Sequence, residues 1–154
     1  MQITGKFILK GSAPQIWDFL LDPGVLLSCL PGAETVQKLD DKTYEAVVKQ
    51  KVGPITARFK FSTTLTETRP PTYIKATGKG ADMTKLGNFT QETVITLQDL
   101  ANKEVEIAYD TNVSIVGRLA TFGERIMRAK ATELGAQFTK NLEETLKARM
   151  GASG

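Results

Sequence analysis

The chain has 154 residues, 20 basic and 17 acidic, for a net charge of +3. That length suffices for a sizeable core, and the mixed signs exclude the basic stripe of a nucleic-acid-binding protein. It contains no histidine and one cysteine, which removes histidine general-base catalysis, the serine–histidine–aspartate triad, an internal disulfide and nearly every zinc or non-haem iron site.

Residues 2–10 alternate and predict a first strand. Ser12, with Pro14 and Gln15 behind it, predicts a helix start: the Ser12 hydroxyl accepts from the first turn, and Pro14 sits where its missing N–H costs little. That helix is short and carries Ile16, Trp17, Phe19 and Leu20. Asp22-Pro23 caps a second short helix through Val25, Leu26 and Leu27, and Cys29-Leu30-Pro31-Gly32 ends it. Strands follow at 33–39 and 43–52, joined by a short polar loop, and the Gly53-Pro54 turn leads into 55–68. Here Ala57, Phe59, Phe61, Thr63 and Leu65 share one face, and Thr56, Arg58, Lys60, Ser62 and Thr64 the other. One face of this strand is buried and the other wet. Residues 72–77 predict another strand, 78–85 a glycine-containing polar interruption, and 87–97 and 105–115 the last two strands. No run approaches about eighteen apolar residues, and no basic leader precedes an apolar stretch, so a soluble cytoplasmic protein is expected.

From 117 to 150 the pattern changes. Phe122, Ile126, Leu134, Phe138, Leu142 and Leu146 recur at four or multiples of four, widened by Met127 and Ala131, while charges take the other face. This is one amphipathic helix of ~45 Å. Glu124–Arg128 and Glu143–Lys147 stand acid before base at i,i+4. Such a helix must bury its stripe against a broad partner, and the strands are the available one. A seven-stranded antiparallel curved sheet around the long C-terminal helix, α+β in class, satisfies the order with short connections. A plain core helix and a helix closing one side of a cavity both fit the stripe.

The inward faces hold Phe59, Phe61, Phe89, Tyr109 and Val113, with a few polar groups (Gln91, Thr93, Thr111). These either satisfy one another or meet a small ligand that is mostly hydrocarbon with one or two oxygens. The strand carboxylates (Glu45, Glu92, Glu104, Glu106, Asp110) fall mostly outward, Cys29 has no histidine to activate it, and Gly78-Lys79-Gly80 is no phosphate loop. No catalytic residue, metal site or cofactor is expected.

Three clusters carry a family resemblance: Ala13-Pro14 with Trp17, Asp22-Pro23 and Cys29-Leu30-Pro31-Gly32; Val52-Gly53-Pro54-Ile55-Thr56-Ala57; and Gly117-Arg118-Leu119-Ala120 with Gly123. In this order the chain resembles the carbon monoxide dehydrogenase G-subunit family, a branch of the helix-grip superfamily (SRPBCC) that includes START lipid-transfer domains and polyketide cyclases. The resemblance implies one helix-grip domain over 1–150, with 151–154 as a flexible tail. It implies a non-enzymatic accessory protein of a molybdenum hydroxylase of the carbon monoxide dehydrogenase type, holding a quinone or lipid-like molecule in a central cavity. Peripheral, transient contact with the inner face of the membrane is compatible with it. Cavity-lining residues are expected at Leu26, Leu30, Phe59, Phe61, Phe89, Tyr109, Val113, Leu119, Phe122 and Ile126. Ligand access is expected between the short helices, the Gly53-Pro54 turn and the start of the long helix. A protein-interaction module for assembly or membrane recruitment of that enzyme, and a polyketide cyclase-like enzyme, are the alternatives.

Overall fold

The computed structural model of the chain describes residues 1–83 and 87–153. β1 (Gln2–Lys10) leads into α1 (Ala13–Leu21) and α2 (Pro23–Cys29). Both helices begin where the sequence supplies a cap. The Ser12 hydroxyl accepts the Gln15 N–H at 3.4 Å, and the Asp22 carboxylate accepts those of Gly24 and Val25 at 2.7 and 3.4 Å. Six strands follow: β2 (Ala33–Lys38), β3 (Thr43–Val52), β4 (Ile55–Arg69), β5 (Tyr73–Asp82), β6 (Gly87–Leu100) and β7 (Glu104–Gly117). They form one antiparallel sheet in the order β1-β7-β6-β5-β4-β3-β2, so that every neighbouring pair except β1–β7 is a hairpin. The two-residue Gly53-Pro54 turn closes the β3–β4 hairpin, with Val52 paired to Ile55 and Gly53 at φ 59°, a conformation that favours glycine.

Several boundaries differ from expectation. Residues 78–82, expected as a polar interruption, complete β5 and pair with both β4 and β6; residues 84 and 85 of that stretch lie outside the described residues. The helix expected from 117 begins later. Arg118–Phe122 is a 3₁₀ turn, and α3 runs Gly123–Ser153. Gly117 and Gly123 stand at φ 89° and 84° on either side of the turn, which breaks the helical phase between them. At its far end the helix continues through 151–153, which the sequence assigned to a tail.

The core lies toward one end of the sheet. Leu9 of β1, Ile16 and Phe19 of α1, Val25 and Cys29 of α2, Leu97, Val105 and Ile107 of the sheet, and Leu142 and Leu146 of α3 are buried together there. α2 is tied to the C-terminal half of α3: Asn141 Nδ2 donates to the Cys29 carbonyl at 2.9 Å, and Cys29 Sγ lies 3.3 Å from Thr145 Oγ1. The Tyr44 hydroxyl donates to the Leu21 carbonyl at 2.6 Å, fixing α1 to β3.

Candidate functional site

The inward face of β5 tapers along the strand. Ile74 and Ala76 are buried at the packed end, and Gly78 and Gly80 follow on the same face. Aromatic rings from the flanking strands lie over the glycines. A Cβ at Gly80 would come within 2.6 Å of the Phe89 ring and 2.7 Å of Phe61 Cβ, so any larger residue would displace them. Phe89 meets Phe59 edge-on at 5.9 Å and Phe61 at 6.1 Å. The central strand therefore contributes no side chain to the inward face here, and a space remains under α3.

That space is a cavity of ≈ 210 Å³. The sheet lines it with Val48, Gln50 and Val52 of β3, the Phe59–Phe61–Phe89 cluster, and Val113 and Ile115 of β7, with Met1 and Ile3 at the β1 margin. Leu119 of the 3₁₀ turn closes one end, and Met127, Lys130, Ala131 and Leu134 of α3 form the roof. The wall is hydrocarbon apart from two side chains, Gln50 and Lys130. The Gln50 amide donates to the Pro31 carbonyl at 2.6 Å. Lys130 is a side chain 19% exposed, its ammonium 3.9 Å from the Glu133 carboxylate.

Tyr109 marks the boundary between the packed and hollow ends. A Cβ at Gly5 would overlap its ring and hydroxyl, and one at Gly135 would lie 3.4 Å from that hydroxyl, so β1, β7 and α3 approach closely there. Its ring packs 6.4 Å from Phe7. Two of the polar inward groups satisfy each other: Thr93 Oγ1 and Thr111 Oγ1 are 2.7 Å apart. Asp82, at the end of the tapered face, is 2% exposed and accepts the Arg58 N–H at 3.1 Å.

Of the ten residues expected on the cavity wall, the structure brings five together: Phe59, Phe61, Phe89, Val113 and Leu119. The other five stand elsewhere. Leu26 and Leu30 belong to the α2 region, and α2 packs on β2 and on α3 around Asn141, ~15 Å along the helix from Ala131. Tyr109 lies outside the lining, between Gly5 of β1 and Gly135 of α3. Phe122 covers the Gly53 turn, 3.5 Å from where a Cβ on Gly53 would be. Ile126 is 45% exposed: at 3.6 residues per turn a four-residue series drifts by about 40° per step, so Met127 and Ala131 face the cavity in its place. Lys130 was not anticipated, although a signal existed: it occupies the vacant place in the four-residue series that continues Leu134, Phe138, Leu142 and Leu146.

A wider hollow of ≈ 560 Å³ lies across β4–β7, bordered by Ser62, Thr64, Thr77, Thr90, Asn112 and Ser114 among others. Its border is formed largely by hydroxyls and amides, which water satisfies, so it offers little driving force for an apolar ligand. Among the described residues no three His, Cys, Asp or Glu side chains are grouped to hold a metal ion, and no helix is long and apolar enough to cross a membrane.

Solved structures share this architecture. A conserved protein from Geobacillus kaustophilus superposes with a TM-score of 0.88 at 22% identity, covering 96% of each chain. A START superfamily protein from Mycobacterium smegmatis reaches 0.73 at 13% identity over 96% of this chain and 97% of that one. The Zhui aromatase/cyclase from a Streptomyces species reaches 0.70 at 11% over 100% and 98%. At these identities the likeness establishes the helix-grip fold. Among curated proteins none matches in sequence. The profile of the carbon monoxide dehydrogenase G-subunit family, CoxG, matches residues 5–147. With that match spanning nearly the whole chain, the protein belongs to the CoxG family.

Proposed function

We propose that the chain is a non-enzymatic carrier of a hydrophobic small molecule, a quinone or a lipid-like compound, acting as an accessory to a molybdenum hydroxylase of the carbon monoxide dehydrogenase type. The observation that carries this reading is the cavity between sheet and α3, whose wall is hydrocarbon apart from Gln50 and Lys130. An apolar pocket with little convergent polar chemistry suits binding by burial rather than turnover. Each 100 Å² of ligand hydrocarbon removed from water contributes ~2.5 kcal/mol, against the cost of association and ordering, so a modest tail supports micromolar affinity.

The volume limits what fits. A space of ≈ 210 Å³ matches about seven waters' share of the liquid, below the range of most ligand pockets. It holds a ring or a chain end. The remainder of a longer molecule extends toward the rim or lifts the N-terminal half of α3, whose residues 123–133 are mostly exposed. At the same end of the sheet Met83, Val116 and Ile126 are exposed apolar side chains, with the exposed Arg118 and Arg125 beside them in sequence. This combination favours a brief visit to an anionic membrane surface when a ligand is loaded.

Organic extraction of protein purified from its native host, followed by mass spectrometry, tests the reading. A recurrent isoprenoid or lipid species in stoichiometric amount is expected. A consistently empty protein that also fails to take up a short-chain quinone would overturn it.

A further inference from the structure

We propose that the ligand lies tail first in the cavity and that the Lys130 ammonium holds its oxygen-bearing head at the rim. This rests on the carrier reading and adds an orientation and a selecting residue to it. The interior cannot satisfy oxygen atoms: Val48, Val52, Phe59, Phe61 and Phe89 offer only carbon, and a carbonyl or carboxylate buried among them would lose its hydrogen bonds to water. A hydrocarbon tail loses nothing there.

The polar groups at the margin narrow the choice further. The Gln50 amide is bonded to the Pro31 carbonyl, and the amino group of Met1 donates to the Val113 carbonyl at 2.9 Å. Lys130 differs from both in that the one contact of its ammonium, among the described residues, is the ion pair with Glu133. Its stem lines the roof, and its ammonium has three donors. The Glu133 carboxylate facing it is 3.9 Å away, beyond hydrogen-bond distance, and is itself 58% exposed. Such a pair is weak in water and yields readily to a better-placed acceptor. Lysine is also the one charged residue in an otherwise apolar helical series, at a position that lines the cavity. The chemistry it selects is a hydrogen-bond-accepting oxygen on a hydrocarbon body, either a quinone carbonyl or a carboxylate.

The test uses the full chain and three variants, Lys130→Met, Lys130→Arg and Glu133→Gln, with ligands that share a ten-carbon tail: a decyl-benzoquinone, decanoate and decylbenzene. Displacement of the neutral dye N-phenyl-1-naphthylamine reports affinity, and its own binding reports that the cavity is intact. Lys130→Met is expected to weaken the quinone or decanoate about tenfold, leaving decylbenzene and the dye unchanged, with Lys130→Arg recovering most of the loss. Glu133→Gln, which frees the ammonium, is expected to tighten binding of the same head. A loss that is larger for decanoate and falls with salt assigns a carboxylate head; a salt-independent loss on the quinone assigns a carbonyl. Equal effects of Lys130→Met on all three ligands, or none on any, overturn the orientation while the carrier reading stands. Failure of the unmodified protein to bind the dye or any of the three overturns both.

Discussion

Val105 and Val113 stand on the same face of β7, eight residues apart, one in the packed end and one on the cavity wall. The same substitution to phenylalanine therefore has opposite signs at the two positions. Filling empty apolar volume returns ~24 cal/mol per Å³, so a cavity of ≈ 210 Å³ represents at most ~5 kcal/mol. One ring recovers a fraction of that, ~1–2 kcal/mol. For a chain of this size each kcal/mol moves Tm by ~2–4 °C, so Val113→Phe is expected to raise Tm by ~2–8 °C. Val105 is 0% exposed, and extra volume there forces neighbours from their rotamers at ~1–3 kcal/mol, lowering Tm by ~2–12 °C. The assay is thermal unfolding of protein stripped of lipid by denaturation and refolding, with urea unfolding as a second measure. Val113→Phe is also expected to abolish the rise in Tm that a saturating short-chain quinone gives the unmodified protein. If Val113→Phe destabilises as much as Val105→Phe, the space under α3 is not open and the polarity of this fold has been misjudged.

Three other outcomes are expected. Leu142→Ala, at a position 0% exposed, costs ~2–5 kcal/mol in urea unfolding, whereas Ile126→Ala, 45% exposed on the same helix, stays within ~0.5 kcal/mol; similar costs would contradict the phase assigned to α3. Tyr44→Phe removes the hydrogen bond to the Leu21 carbonyl and costs ~1 kcal/mol by the same measurement. Burial, and then the nearby Asp22 charge, hold the Tyr44 phenol above the usual tyrosine range. Its contribution is thus complete below the unfolded-state pKa and is lost as pH rises through the folded one, a loss absent from Tyr44→Phe. The hydrogen bond from Arg128, and then its charge, hold the Glu124 carboxyl below the ordinary glutamate value. Its stabilisation is present above the unfolded-state pKa and disappears as pH falls through the folded one. Carboxyl NMR titration is expected to show the value returning toward normal in Arg128→Ala, and an unmoved midpoint would refute the pairing.

The strands were legible because alternation is a local property. Tyr44, Ala46 and Val48 face inward on β3, and Phe59 and Phe61 on β4, as period two requires once one face is apolar. The end of β5 was not legible, since Gly78 and Gly80 look like a loop until the Phe61 and Phe89 rings occupy the room they leave. α2 illustrates a different limit. Its apolar residues are plain in the sequence, but only contact with Asn141 and Thr145 shows that it serves the packed end of α3 and leaves Leu26 and Leu30 off the cavity wall.

By itself the sequence determined the element order, the helix caps at Ser12 and Asp22, the sheet-and-helix architecture and the apolar character of its interior. These follow from spacings within one element and from side-chain chemistry at single positions. Tertiary structure decided where the interior is solid and where it is hollow. That depends on volumes contributed by several strands at once, on the taper of β5 from Ile74 to Gly80, and on the phase α3 takes after the break at Gly123. A lysine on an apolar stripe acquires its meaning at the same level, because only the assembled wall shows that Lys130 borders a space otherwise lined by carbon and by an amide already bonded to Pro31.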